Sequence, residues 1–206
     1  MFKGLRIQKA IRATFWTIAL ATVNAPLHLA AQDALLQSRI KAAYLFNFAK
    51  FVDWPTQALP EATSPIIVGL LGKDVFEGEL ERSVSAKSIN GRPLVIRRFP
   101  EGEDFRSCHI LFISPSEKRR VPQILERLKG TSVLTVSEIE QFSALGSGGM
   151  ITFFRQQNTI KFEINLDNAE KAGLKISSKL LQVAKVIRSE KTSRTDVYPR
   201  LALAAP

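Results

Sequence analysis

Two side chains beyond residue 31 carry the usual nucleophile and metal-ligand chemistry, and they are neighbours: Cys108 and His109. Consecutive residues of a strand point to opposite faces, so the pair cannot readily share one ion. No other His or Cys lies beyond residue 31 to complete a zinc site. A Ser-His-Asp arrangement would have to use an imidazole set inside the apolar run Cys108–Ile113, the setting of a structural histidine. At a sheet edge it would instead be a pH-sensitive contact. The reading is therefore no catalytic residue, no metal and no cofactor.

Gly146, Gly148 and Gly149 suggest a phosphate loop but have the wrong context. That fingerprint needs a strand before the glycines and a helix after them, whereas here an apolar strand follows. A nucleophile elbow is excluded too, because Ser147 has glycine on both immediate sides. A tight turn beside a close-packed strand fits the pattern. Gly148 and Gly149 are also the candidate contact for a small ligand through backbone amides. Further on, Lys161, Glu163 and Asn165 alternate with Ile160, Phe162, Ile164 and Leu166. This predicts a polar row on a solvent face, suited to a partner or to a second copy of the chain. Tyr44, Phe46, Lys50 and Trp54 form the other candidate partner surface, on a helix and at its exit.

These groups need a scaffold, and its pattern is legible. Apolar residues at Leu36, Ile40, Ala43, Tyr44, Phe48, Phe51 and Val52 have helical spacing. The helix is predicted to stop at Trp54-Pro55, since a residue before proline avoids helical dihedrals. Ile66–Leu71 reads as a strand buried on both faces. A helix through Phe76, Leu80 and Val84 follows, then strands at 94–99 and 108–113, a helix with Val121, Ile124, Leu125 and Leu128, and a strand at 133–136. The rhythm then changes to a hairpin, 150–154 and 159–166, at a sheet edge. Asp167 or Asn168 is expected to cap a short helix ending at Gly173. A final amphipathic helix carries Leu180, Leu181, Ala184 and Ile187. The fold class is α/β: one domain with a mixed, mostly parallel sheet flanked by helices and ending in an antiparallel hairpin.

The first residues have the layout of a secretory signal peptide. Lys3, Arg6, Lys9 and Arg12 precede the apolar run Ala13–Val23, and small residues stand at Ala30-Ala31. The run is shorter than the roughly 20 residues of a spanning helix. Three regions are expected: a signal peptide at 1–31 cleaved near Ala31, an α/β domain at 32–188, and a disordered tail at 189–206. The leader holds four of the 29 Lys and Arg and none of the 19 Asp and Glu, leaving 25 basic against 19 acidic residues, or +6. The remaining charge is scattered, without the basic, aromatic-laced stripe of a nucleic-acid binder. One cysteine excludes an internal disulfide.

Ala42-Ala43-Tyr44-Leu45-Phe46-Asn47-Phe48-Ala49-Lys50-Phe51-Val52-Asp53-Trp54-Pro55 closely resembles the opening signature of the YfiR family of periplasmic regulators. The likeness continues through Asn90-Gly91-Arg92, 108–114, 148–151 and 162–165, and ends in Gly173-Leu174-Lys175-Ile176-Ser177-Ser178-Lys179-Leu180-Leu181. The resemblance implies an α/β fold, the periplasm and a homodimer. It further implies repression of a membrane diguanylate cyclase through that enzyme's periplasmic sensor domain, lowering cyclic-di-GMP and biofilm formation. Well-known members use disulfides, for which Cys108 has no partner thiol here. The expectation is a non-enzymatic regulator; the alternative is a periplasmic small-molecule-binding sensor module using the glycine turn.

Overall fold

The computed structural model describes residues 31–188 apart from Ala86 and Ser147. The expected leader up to residue 30 and the expected tail lie outside these residues. A helix, α1, covers 31–51 and leads into β1 (Val52–Asp53). There follow β2 (Ile66–Leu71), α2 (Glu79–Val84), β3 (Ser88–Ile89), β4 (Arg92–Phe99) and β5 (Ile110–Ile113). A 3-10 turn, Pro115–Arg120, runs into α3 (Val121–Arg127), then β6 (Leu134–Ser137) and a second 3-10 turn, Phe142–Ala144. The chain closes with β7 (Ile151–Gln156), β8 (Thr159–Asn165), α4 (Leu166–Lys171), β9 (Lys175–Ile176), α5 (Ser178–Leu181) and β10 (Lys185–Ile187).

The main sheet has eight strands in the order β10-β8-β7-β6-β5-β2-β4-β3. Its centre is parallel, β7 and β8 are antiparallel, and β3 runs antiparallel on β4. This is the mixed α/β sheet with an antiparallel hairpin that the residue pattern predicts. Gln157 and Asn158 alone join β7 to β8, both at positive φ (46° and 59°), the hairpin turn whose twist matches paired strands. That two-residue loop fixes the register, placing Thr152 opposite Glu163 and Phe153 opposite Phe162.

Alternation then sends the hairpin's apolar residues to one face and its polar residues to the other. On the first face Ala42, Leu45, Phe48 and Ala49 of α1 are buried with Val68, Phe112, Val136, Ile151, Phe153, Phe162 and Ile164. Phe48 stacks on Phe153 at 5.7 Å and meets Phe162 edge-on at 5.1 Å, favoured aromatic geometries. On the second face Val121, Ile124, Leu125 and Leu128 of α3 pack with Leu111, Ile113 and Phe142.

Four expectations need correction. α1 stops at Phe51, three residues before Trp54, because Val52 and Asp53 pair with Ile176 and Lys175. The final amphipathic helix is only α5, four residues long; Lys185–Ile187 is a strand parallel to Glu163–Asn165. Open backbone groups on β8 outweigh the helical spacing there, and the β-branched Val186 and Ile187 suit a strand. The hairpin is thus covered by β10 over the last residues of β8. Asn165, not Asp167 or Asn168, caps α4: its side chain accepts from Asn168 N.

Candidate functional site

The polar row predicted on β8 is real as a face but is not open to solvent along its length. Lys161 is exposed, Glu163 is half-buried and Asn165 is buried. The correction for Asn165 has a plain cause: the segment 138–149 crosses this face and uses these side chains as its anchors. Asn165 Nδ2 donates to Ser143 O at 2.8 Å, and its Oδ1 accepts from Asn168 N at 3.0 Å. Ser143 N donates to Thr152 Oγ1, that hydroxyl donates to Ser143 Oγ, and Ser143 Oγ donates to Glu163 Oε1 at 2.6 Å. Each hydroxyl gives one hydrogen bond and takes one, so the chain ends on a carboxylate that only accepts. The other oxygen of Glu163 accepts from Lys185 Nζ at 3.1 Å.

The glycine turn is fastened the same way. Asn168 Nδ2 donates to Gly149 O at 2.8 Å and to Leu145 O at 3.3 Å, and Thr135 Oγ1 donates to Gly148 O at 2.9 Å. Thr135 Oγ1 also accepts from Met150 N. Backbone carbonyls of a covered loop are thereby satisfied by side chains, as burial requires. Gly149 is needed for close approach: a Cβ there would lie 1.9 Å from Phe142 O. Gly148 sits at φ 114°, a region that favours glycine.

Beside this segment, where β7, β8 and β10 emerge from under it, lies a cleft of about 430 Å³. Glu138, Glu140, Gln141 and Ala144 form one wall, Glu163, Lys185 and Ile187 another, and Thr152, Phe153 and Phe154 also line it. Three carboxylates against one ammonium make it acidic. Glu138 is held in place by Lys41 of α1 at 2.9 Å, a lysine whose side chain is only 7% exposed. Residue types alone pointed to Glu163 here. Phe154 and Thr152 follow from the hairpin register, whereas Glu138, Glu140 and Lys185 carry no sequence signal that places them at the cleft.

The second expected surface divides. Tyr44 is half-buried among aromatics, 4.9 Å edge-on from Phe162 and 5.9 Å from Phe153, on the sheet face opposite Glu163. Phe46 is partly buried, with Lys87 Nζ over its ring at 4.9 Å. Lys50 is exposed and lines a separate hollow with Trp54 and Arg92. Trp54 is half-buried, and its indole N–H donates to His109 O at 3.3 Å. The structure therefore brings Lys161, Glu163 and Asn165 to one face and separates them from Tyr44, Phe46, Lys50 and Trp54.

His109 acts as a clamp. Its Nδ1 accepts from Ile67 N at 3.0 Å and its Nε2 lies 3.0 Å from Ala58 O, which fixes a neutral ring protonated at Nε2. Burial pushes its pKa down, aided by Arg92 and opposed by the bond to Ala58. Cys108 is buried, donates to Phe105 O at 3.0 Å, and desolvation pushes its thiol up to about 12. Among the described residues no group of three His, Cys, Asp or Glu is placed to hold a metal ion, and no helix is long and apolar enough to cross a membrane.

Comparison with protein families matches residues 38–185 to the family described as YfiR/HmsC-like. The match takes in α1 from Ser38 onward, both faces of the hairpin and the segment pinned across it. Members of that family are periplasmic regulators, not enzymes, and belong to diguanylate cyclase and cyclic-di-GMP signalling. With the signature residues and the matched span in agreement, the chain belongs to the YfiR/HmsC-like family.

Proposed function

We propose that this chain is a periplasmic, non-enzymatic regulator that binds the sensor domain of a membrane signalling protein. In this reading it represses a diguanylate cyclase and so lowers cyclic-di-GMP. The observation that carries the reading is the acidic cleft bounded by segment 138–149 and β8–β10, on a scaffold matched to the family almost end to end. Glu140 and Glu163 offer charge there and Phe154 offers apolar area, while the exposed Lys161 lies further along the same face of β8. A basic or hydrogen-bonding segment of the sensor domain is the complementary partner, since charge complementarity steers association and rejects wrong partners.

Regulation then works by population shift: the chain binds the sensor domain's inactive conformation more tightly than its active one. It acts as a homodimer, with Trp54, Lys50, Tyr44 and Phe46 around the exit of α1 as the second contact region. The cleaved leader and export belong to the same reading. Affinity capture from solubilised membranes tests it: recovery of a membrane diguanylate cyclase is expected, and Glu140→Lys, at an exposed residue of the cleft, should abolish that recovery. Recovery of no sensor protein by the wild-type chain would overturn the reading. Sedimentation velocity gives the subunit count.

A further inference from the structure

The geometry points to a second, ligand-binding site: the cleft between the end of α3, the glycine turn and α4 takes a small amphipathic anion, a carboxylate on a short apolar body. The cleft has a volume of about 190 Å³. An apolar cavity of roughly 150 Å³ accepts a benzene ring, so one ring or a short alkyl chain fits. Leu125, Leu128, Val133 and Met150 supply a buried apolar lining. Its charged lining residues are Lys129 and Lys171, with no carboxylate among them. Lys171 makes no ion pair among the described residues, and Lys129 pairs only with the exposed Glu126. An exposed pair of that kind contributes little and is easily exchanged for a ligand's carboxylate.

The site is built before a ligand arrives. Thr135 and Asn168 line it and already hold the carbonyls of Gly148 and Gly149. A binding wall ordered in advance lowers the entropy cost of association. The contrast with the neighbouring cleft is chemical: one lining carries lysines and no acid, the other three glutamates and one lysine. Ala144 lines the acidic cleft and Gly146 the basic one, so a single short segment separates two sites of opposite preference. Occupation of the basic cleft needs no sensor protein, and its failure would leave the proposed partner contact untouched.

Titration of the whole chain with 3-phenylpropionate, followed by calorimetry and thermal unfolding, tests the site. Binding to the native state raises Tm with ligand concentration. The neutral 3-phenylpropanol should bind at least fivefold more weakly, and Lys171→Gln should weaken the acid by a similar factor without changing the unliganded Tm. A Cβ at Gly146 meets no atom within 4 Å, so Gly146→Phe can be accommodated and should block the cleft. Absence of a Tm rise at 10-millimolar-order acid, equal binding of acid and alcohol, or full affinity in both variants would each overturn the assignment. Should Gly146→Phe fail to fold, amide shifts in wild type decide the matter: changes centred on residues 125–135, 146–150 and 168–172 support the site, and changes centred elsewhere contradict it.

Discussion

The hairpin β7–β8 is read differently on its two faces. On one, Phe153 and Phe162 meet Phe48 and Tyr44 of α1, and association is by apolar burial and ring geometry. On the other, Thr152, Glu163 and Asn165 hold a crossing segment by directed hydrogen bonds. The first kind of contact tolerates small displacements, because dispersion and burial are not directional. The second fixes which carbonyl sits where, and leaves a defined polar cleft at its margin. The same two strands thus supply both the stability of the domain and the shape of its candidate contact surface.

The largest effect should come from the apolar face. Phe48→Ala removes a fully buried ring at the centre of the aromatic cluster. A loss of about 3–5 kcal/mol of unfolding free energy is expected by denaturant titration, the usual range for such truncations. A loss under 1 kcal/mol would mean that α1 does not pack as described.

Next comes the polar face. Asn165→Ala deletes a helix cap and the bond to Ser143 O together. A loss of about 2–3 kcal/mol is expected, combining a cap with buried groups left unpaired. Hydrogen exchange should rise chiefly at 142–149, whereas Phe48→Ala should raise exchange across the sheet. Uniform exchange in both variants would erase the distinction between the two faces.

How much of this was legible beforehand follows the same division. Every central strand, α1 and the hairpin are written in apolar periodicity, because burial selects residue type directly. The register, with Gln156 paired to Thr159 across a two-residue loop, is seen only in the structure. The cover over the polar face is not legible, because alternation reports two faces, not what covers them. Asn165 has the same residue type whether it meets water or the carbonyl of Ser143. β10 reads as helix because Leu180, Leu181, Ala184 and Ile187 satisfy helical spacing, while the demand for a strand comes from β8, some 20 residues away in sequence.

A second polar latch allows a milder test through pH. His109 is neutral in the fold, with its pKa lowered by burial, whereas in the unfolded chain it titrates near 6.5. Below about 6.5 the unfolded state binds the extra proton, so stability should fall as pH drops from there toward the lowered folded value, and be flat above. Tm measured across this window should decline for wild type and less so for His109→Gln. The groups facing the ring are Ile67 N, Ala58 O and the cation of Arg92. Equal slopes in both proteins would remove His109 from the account.

The smallest structural effect is expected at Cys108. With a buried thiol pushed up to about 12, it should resist maleimide in the native state and react only on unfolding. Prompt labelling of the folded chain would show that the core behind α3 opens readily.

The most direct measurement is diguanylate cyclase turnover in membrane vesicles, with the chain added on the periplasmic side. Wild type should give a saturable fall in cyclic-di-GMP production, and Glu140→Lys, a change at an exposed cleft residue with Tm expected to hold, a much weaker one. Production indifferent to the chain, or lowered equally by both proteins, would contradict the account.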